Sequence, residues 1–415
     1  MYRLNNLGRV AALGVVVGLA ACEAKDTVLG PTTIGTGDIF HSYVAIGNSI
    51  TAGYQSGGIN DSTQRQSYAR LLAIQMGTQY HYATLAGRGC SPPIVNGLTG
   101  ALPTGTTSST CDLRTVASVT DVLNNVAVPG ARVLDPISST TVASNALTTF
   151  ILGGKTQVSR ALDAKPTFVS IWIGNNDVLT AGLTGLITPG GPFNSAFGSP
   201  GIVSTQAQFQ ASYDTMIQQL VDSAPGVKGV LIGVVQVGGV AALSTGAVIA
   251  ASPAIQAGIN AATGKTVFIH PNCTGSTSLI YVQKMLQLIA AGTLPPAIVC
   301  QPNTAGFPAP VGDALVLDPA EQATLSAVIT GYNDYIKAKA TAIGFAYYDP
   351  NPLLAQLKQD GTVPAFPNLA SSTATFGTVF SLDGVHPAAA GHVRIANQLV
   401  GVINTKYGTS LSLVP

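Results

Sequence analysis

The stretch Ser42-Tyr43-Val44-Ala45-Ile46-Gly47-Asn48-Ser49-Ile50-Thr51-Ala52-Gly53 decides the fold of this chain. Its short apolar run, Ser42–Ile46, predicts a strand, and the glycine that follows predicts a sharp turn. Apolar residues then recur at helical spacing over Gln66–Met76. The opening of the folded body is therefore predicted to be a strand, a turn and a helix.

The same alternation of strand and helix patterns continues along the chain. Further strands are predicted at Asn125–Pro129, Phe168–Ile173, Gly229–Val237 and Phe345–Tyr348. Helices are predicted at Gln206–Ser223, Pro319–Ile343 and Pro387–Asn404, the last with a proline in its first turn. Continuous apolar strands that alternate with helices predict an α/β fold, a three-layer α/β/α sandwich with a central parallel sheet.

Two segments do not follow this alternation, about 87–115 and 238–318. The longer one contains an apolar run of helical character around Leu279–Ala290. We interpret both segments as insertions over the edge of the sheet. Whether the longer insertion forms a lid over a site is left open, because an apolar helix in an insertion is more often local core than substrate-facing surface.

The first 21 residues have the pattern of a cleavable export signal. Two arginines precede the uncharged run Val10–Ala21, which is too short to cross the roughly 30 Å hydrocarbon core of a membrane. The run ends in Leu19-Ala20-Ala21-Cys22, which resembles a bacterial lipobox, with Cys22 as the lipidated first residue of the mature protein. Ordinary cleavage at the small residues is the alternative.

These patterns predict the domain organisation and the location of the protein. Residues 1–21 are the signal peptide, 22–40 a Gly/Thr-rich tether, 41–407 the folded domain and 408–415 a C-terminal tail. We expect an exported bacterial lipoprotein, anchored to a membrane through Cys22 and facing the periplasm or the cell surface.

Four cysteines remain after Cys22: Cys90, Cys111, Cys273 and Cys300. An even number in an exported chain predicts two disulfides. Three pairings are possible, and the simplest joins the two cysteines that are close in sequence in each half of the chain. The spacing does not match that of a structural zinc site, so no metal is predicted there.

Composition excludes several classes of function. The net charge is +1 and basic residues form no cluster, so the sequence offers no surface for nucleic acid. Hydrophobic residues make up 46% of the chain and charged residues only 9%, which predicts a loop-rich globular body whose solubility depends on hydroxyls and amides. No motif for a metal or another cofactor is present.

Two motifs carry the residues of a nucleophile and its base. Ser49 lies on the turn after the first strand, flanked by small residues that allow a substrate carbonyl to approach. His386 follows Asp383 at D-x-x-H spacing just before the last helix, where the carboxylate can hold the imidazole tautomer. Taken singly, each has an ordinary alternative, a turn serine in one case and a capping aspartate beside an incidental histidine in the other.

Two loops at predicted strand ends offer hydrogen-bond donors for an oxyanion. Gly130, in Val128-Pro129-Gly130-Ala131, has a backbone N–H, and Asn176, in Gly174-Asn175-Asn176-Asp177, has a side-chain amide. A turn glycine and a loop-capping asparagine are the alternatives.

Together and in this order, the four segments resemble the conserved blocks of the GDSL/SGNH hydrolase family. The resemblance spans residues 44 to 386. It implies a flavodoxin-like fold without a cofactor, with Ser49 as nucleophile, His386 as base and Asp383 as its orienting acid. It also implies an oxyanion hole made by the N–H groups of Ser49 and Gly130 and by Asn176.

The chain departs from the family pattern at Asn48, where the family name has Asp, and at Ile50, where it has Leu. Asn keeps the size of Asp, so the implied function remains hydrolysis of lipid or short acyl esters through an acyl-enzyme. A glycan O-deacetylase or acyltransferase on the same site, and an inactive lipid-anchored binding protein, are the alternatives. The sequence leaves the natural substrate and the oligomeric state open.

Overall fold

The computed structural model describes residues 39–113, 122–138, 146–185, 187–189, 202–302, 304–306 and 315–415. The predicted signal peptide, Cys22 and almost all of the predicted tether lie outside these residues.

The strands of the described residues are short, and most of the longer ones belong to one sheet. In chain order they are β1 (Tyr43–Gly47), β2 (Phe168–Trp172), β3 (Thr188–Pro189), β4 (Ile202–Val203), β5 (Lys228–Ile232), β6 (Leu243–Thr245), β7 (Phe268–Ile269), β8 (Leu279–Tyr281), β9 (Ala297–Ile298), β10 (Val316–Leu317) and β11 (Ala346–Tyr348).

The α-helices range from single turns to long surface helices. In chain order they are α1 (Ser49–Ala52), α2 (Asp61–Arg65), α3 (Tyr68–Met76), α4 (Ala146–Leu152), α5 (Gln157–Asp163), α6 (Leu179–Thr184), α7 (Gln206–Ser223), α8 (Gly246–Ile249), α9 (Pro253–Thr263), α10 (Val282–Ala290), α11 (Pro319–Ile343), α12 (Asn351–Gln359) and α13 (Ala389–Tyr407).

The central sheet has the order β1-β2-β5-β11, and all of its pairs are parallel. Helices α3 and α13 pack on one face of the sheet, and α5, α7 and α11 pack on the other. Every residue of β1 and β2 is buried, as continuously apolar strands between two helix layers require. The predicted α/β fold with a parallel sheet between helices is confirmed.

The predicted strand Asn125–Pro129 is wrong as a regular strand. The segment runs parallel to β1 and donates Val126 N–H to Ala45 O and Val128 N–H to Gly47 O, but it forms only isolated bridges at Asn125. Pro129 has no N–H for a further bond. The side-chain amide of Asn125 donates to Thr51 O and accepts Ala127 N–H, so it binds backbone groups outside the ladder.

This extended segment places β1 at the point where the chain changes direction across the sheet. The segment over 124–128 lies on one side of β1, and β2 lies on the other. In open parallel sheets, ligands bind at such a switch point, outside the carboxyl ends of the strands. The carboxyl end of β1 is where Ser49 lies.

Helices α7 and α11 have the predicted bounds, and capping explains both. Thr205 and Asp318 each cap their helix in a capping box, with Gln208 and Glu321 respectively. Helix α3 begins two residues later than predicted because Ser67 caps it. Helix α13 begins at Ala389 and extends to Tyr407, so the proline predicted for its first turn lies before the helix.

Four of the predicted strands and the apolar run in the insertion have different bounds in the structure. Strand β1 is shifted by one residue, from the predicted Ser42–Ile46 to Tyr43–Gly47. Strand β5 ends at Ile232. Gly233 N–H still donates to Tyr348 O of β11 (2.9 Å), but the N–H groups of Val234 and Val235 bind side-chain oxygens instead of a neighbouring strand. Strands β2 and β11 differ from prediction by one residue each. The apolar run of the long insertion is strand β8 followed by helix α10.

The longer insertion has a hydrophobic core of its own. Strands β6, β8 and β10 form a small antiparallel sheet, against which α10 packs Met285 and Ile289. Both predicted disulfides are present: Cys90 is bonded to Cys111, and Cys273 to Cys300.

Among the residues that the structure describes, no helix has the length and apolar character needed to span a membrane.

Candidate active site

Ser49 is the first residue of α1, directly beyond the carboxyl end of β1. The side chain of Asn48 accepts a hydrogen bond from Ile50 N–H (3.1 Å) and so caps this helix. Gly53 ends it in a left-handed conformation (φ 90°). Asn48 therefore has a local structural role for which an Asn oxygen is as suitable as that of Asp, and Ser49 lies on a rigid turn, 8% exposed.

The structure brings Ser49, His386 and Asp383 into one hydrogen-bonded chain. His386 Nε2 lies 2.9 Å from Ser49 Oγ, and His386 Nδ1 lies 2.9 Å from Asp383 Oδ2. With Nδ1 protonated, the imidazole donates to Asp383 and can accept the serine hydrogen at Nε2. Both acid and base are largely buried, with side chains 15% and 13% exposed.

Asp383 is held in its ionised form by its surroundings. Burial alone would raise its pKa, but the attraction to His386 and the hydrogen bonds from His386 and Val385 outweigh burial and lower the pKa to about 2. Its Oδ1 accepts the N–H groups of Val385 and His386, both at 2.8 Å. The carboxylate is thus charged and fixed at any pH at which an imidazole base operates.

The two predicted oxyanion loops follow the two segments that flank β1, one on each side. Gly130 follows the extended segment beside β1, with a φ of 86° that favours glycine. Asn176 lies on a short 3₁₀ helix, Asn175–Asp177, directly after β2, and its Nδ2 donates to Ala131 O (2.9 Å). The two loops are therefore joined to each other beyond the ends of the two segments that flank β1.

Two backbone N–H groups at this point have no hydrogen-bond acceptor among the described residues, those of Ser49 and Gly130. The second N–H of the Asn176 amide also has no partner there, since only its bond to Ala131 is present. Donors that are left unpaired in this way are of the kind that binds an oxyanion.

Gly174, which precedes the 3₁₀ helix, is required by both conformation and space. Its φ is 109°, and a Cβ at this position would lie 2.8 Å from side-chain carbons of Phe209 and Val234. A larger residue would displace the loop that carries Asn176.

Sequence reasoning missed three residues that shape the site. Gln157, fully buried on α5, accepts Gly47 N–H (3.0 Å) and so fixes the end of β1. Asn125 Nδ2 donates to Thr51 O (2.9 Å) and ties the glycine loop to α1. Tyr54 packs its ring 4.9 Å from that of His386. Only Tyr54, five residues after Ser49, was within reach of a local sequence signal.

The two segments that follow Gly130 and Asn176 contain a pair of buried carboxyl groups, Asp135 and Asp177. Asp177 accepts Val133 N–H (2.9 Å) and Ser204 Oγ–H (2.5 Å), and so ties the two loops together a second time. Burial raises the pKa of Asp177 to about 6, and burial with repulsion from Asp177 raises that of Asp135 to about 7.

This pair predicts a stability that falls with pH. Because both pKa values are raised on folding, the folded state binds more protons than the unfolded chain from about pH 4 upward. The contribution of this pair to the free energy of unfolding is fully present below the pKa of the unfolded carboxyls. It is lost as the pH rises through the pKa values of the folded state, about 6 and 7. Asp135→Asn should reduce the loss between pH 5 and pH 8, measured by urea unfolding.

The control for this experiment is Asp222→Asn, on the exposed face of α7. It should leave the pH dependence of the wild type unchanged. If the free energy of unfolding fell by the same amount between pH 5 and pH 8 in Asp135→Asn and in wild type, the role of the pair would be contradicted.

The described residues contain no group of three or more His, Cys, Asp or Glu side chains placed to hold a metal ion.

Several solved structures resemble this fold at low sequence identity. A mutant acetylxylan esterase from Geobacillus stearothermophilus is 11% identical over 92% of this chain and 99% of that protein, with a TM-score of 0.37. An extracellular lipase from Streptomyces rimosus is 15% identical over 88% of this chain and 99% of the lipase, with a TM-score of 0.33.

A further resemblance is to a larger protein. An active-site mutant of a family two carbohydrate esterase from Clostridium thermocellum is 11% identical, with a TM-score of 0.37. That match covers 89% of this chain but only 64% of the esterase. No curated protein matches the chain.

The family model for GDSL-like lipases and acylhydrolases matches residues 43–399, which include Ser49, Gly130, Asn176, Asp383 and His386. The chain therefore belongs to the GDSL-like lipase/acylhydrolase family.

Proposed function

We propose that this protein is a serine ester hydrolase that cleaves carboxylic esters through an acyl-enzyme intermediate. One observation carries the proposal: Ser49 Oγ, His386 and Asp383 are joined by two hydrogen bonds of 2.9 Å each. A serine hydroxyl becomes a nucleophile when a neighbouring base, oriented by a third group, takes its proton.

In the proposed reaction Ser49 Oγ attacks the acyl carbon while its proton moves to His386 Nε2. The carbonyl oxygen becomes an oxyanion, which the N–H groups of Ser49 and Gly130 and the Asn176 amide bind. His386 returns the proton to the leaving alcohol as the C–O bond breaks. Water then attacks the acyl-enzyme with His386 as base, and the carboxylic acid and free Ser49 are released.

A panel of p-nitrophenyl esters from acetate to laurate, with the chain from residue 39 onward, tests this proposal. We expect hydrolysis of esters in this panel, and covalent labelling of Ser49 by a fluorophosphonate, located by mass spectrometry. The ester with the highest kcat/KM then identifies the preferred acyl length. Labelling without hydrolysis would favour a glycan deacetylase or an acyltransferase. If neither labelling nor hydrolysis occurred, an inactive binding protein would be favoured.

Asn176→Ala tests the proposed oxyanion site. Removal of one donor should lower kcat by roughly 10²–10³-fold with little change in KM, because the donor binds charge that develops only in the transition state. Asn404→Ala is the control: this amide binds the C-terminal tail through Leu411 and lies on α13. If both variants lost activity equally, or Asn176→Ala lost none, Asn176 would be removed from the site.

We also propose that the protein is exported and anchored to a membrane by lipid on Cys22, with residues 22–40 as tether. The lipobox-like sequence supports this, as do the two disulfides, which persist in oxidising compartments. Cys22→Ser in the full chain should move the protein from the membrane to the soluble fraction. The same distribution for variant and wild type would contradict the anchor.

A further inference from the structure

A tight turn, Gln55–Gly58, lies against the acid of the triad. Gln55 N–H donates to Gly58 O (2.8 Å) and Gly58 N–H donates to Gln55 O (3.1 Å), so the turn is closed by a pair of hydrogen bonds. Its two central residues, Ser56 and Gly57, both have positive φ, 55° and 68°. This is the geometry of a two-residue hairpin turn of type I′.

The turn donates directly to the catalytic carboxylate. Gly57 N–H lies 2.6 Å from Asp383 Oδ2, the same oxygen that accepts the imidazole N–H. A second connection runs through a hydroxyl: Ser56 N–H donates to Ser381 Oγ (2.8 Å), and Ser381 Oγ–H donates to Asp383 Oδ1 (3.1 Å). Leu382 N–H returns a bond to Ser56 Oγ (3.1 Å).

The turn is held from its other side by the loop of the first disulfide. Ile94 N–H donates to Ser56 O (2.8 Å), and Ile59 exchanges backbone hydrogen bonds with Ser91 and Cys90, both at 2.9 Å. All three polar atoms of Ser56 (N, O and Oγ) are therefore engaged. The bonds of Ser56 and Gly57 to Ser381, Leu382 and Asp383 join residues that lie 325 or 326 positions apart in the chain.

Ser56 maintains an unfavourable backbone conformation in this turn. Among the described residues only Ser56 and Lys165 combine a side chain with a positive φ. For a residue other than glycine, asparagine or aspartate the left-handed region is strained, and such strain persists where surrounding contacts impose it. Here the contacts that impose it are those with Asp383 and its neighbours.

We propose that Ser56 and Ser381 are positioning residues, which act through Asp383 by fixing the carboxylate and distributing its charge over several donors. The proposal depends on the proposed esterase function, because it assigns these residues to the same triad. The two serines touch neither substrate nor reacting atoms. The Ser381 hydroxyl, which donates to Asp383 Oδ1, affects how strongly Asp383 attracts the imidazolium that forms when Ser49 is deprotonated. Ser56 acts through its bonds to Ser381 and Leu382.

Loss of the Ser381 hydroxyl has a direction that can be derived. A carboxylate with one donor fewer keeps more negative charge on its oxygens and favours the protonated imidazole. The base is then freed only at higher pH, so the acid limb of kcat/KM moves to higher pH. The carboxylate also loses one of the contacts that fix its plane, so kcat falls by about tenfold.

The other titratable groups near Asp383 and His386 do not move the acid limb of kcat/KM. Burial, together with repulsion from Asp383, raises the pKa of both Tyr54 and Tyr281 to about 12. Burial and repulsion from His386 lower the pKa of His392 to about 3. These three groups are therefore neutral throughout the acid limb.

The experiment compares Ser381→Ala, Ser381→Thr and Ser56→Gly with wild type. Ser381→Ala should lower kcat at nearly constant KM and move the acid limb upward, and Ser381→Thr, which keeps the hydroxyl, should restore both. Ser56→Gly keeps the turn but removes the acceptor of Leu382 N–H, so it should lower kcat while raising Tm. Lys165→Gly, at the other strained position, should raise Tm without changing kcat or the pH profile.

A substrate-independent readout separates this inference from the esterase proposal. The low-field NMR resonance of the His386 Nδ1 proton, assigned with His386→Gln, should shift in Ser381→Ala and return in Ser381→Thr. An unchanged resonance in a folded Ser381→Ala protein would overturn the positioning role, whether or not esters are cleaved. A shifted resonance in a protein that cleaves no ester would leave positioning intact and count against the esterase alone.

Discussion

Ser49→Ala should abolish ester hydrolysis, with a loss in kcat on the order of 10⁴-fold or more. The variant lacks the only atom that can form the acyl-enzyme, whereas the proposed oxyanion donors remain. Substrate should therefore still bind, and KM measured on the residual activity should change little. The measurement is single-turnover and steady-state hydrolysis of p-nitrophenyl acetate, with a pre-steady-state burst expected in wild type only.

The matched control for Ser49→Ala is Ser212→Ala. Ser212 lies on α7 and is also 8% exposed, so each variant removes one serine hydroxyl from an equally buried position. Ser212→Ala should keep wild-type kcat and show a similar Tm to Ser49→Ala. Retention of more than about a hundredth of the activity by Ser49→Ala, in protein free of wild type, would exclude the serine as nucleophile, since triad removal costs far more.

The sequence was sufficient for the residues whose signals are local. Asp383 and His386 are three residues apart, and Ser49 follows its strand by two residues, so motif and hydrophobic pattern located all three. Helix α11 was predicted to the residue because its cap, its first-turn proline and its terminal glycine are all encoded nearby.

The rest could not be predicted because it depends on contacts between distant segments. Gln157 reaches Gly47 across 110 residues, and Gly57 reaches Asp383 across 326. Nothing in a buried glutamine or a pair of glycines indicates which strand end or carboxylate it will meet. The strand predicted over Asn125–Pro129 failed for a related reason: an apolar extended segment has the same pattern whether or not it completes a ladder.

Asp383→Asn should lower kcat/KM at neutral pH by roughly 10⁴-fold without unfolding the protein. The cause is the orientation of the new amide. Oδ1 of Asp383 accepts three hydrogen bonds, from Ser381 Oγ and from the N–H groups of Val385 and His386. Oδ2 accepts only two, from Gly57 N–H and from the imidazole. The amide oxygen should therefore take the Oδ1 position and the NH₂ group the Oδ2 position.

An NH₂ group at that position faces His386 Nδ1 and can only donate to it. The imidazole must then carry its proton on Nε2, where it can no longer accept the proton of Ser49. The measurement is the pH profile of kcat/KM, with circular dichroism as the test of folding. Since the pKa of Asp383 is about 2, the wild-type acid limb cannot come from this carboxyl. A folded Asp383→Asn protein within tenfold of wild type would mean that His386 does not depend on Asp383 for its tautomer, and the triad would reduce to a Ser49–His386 pair.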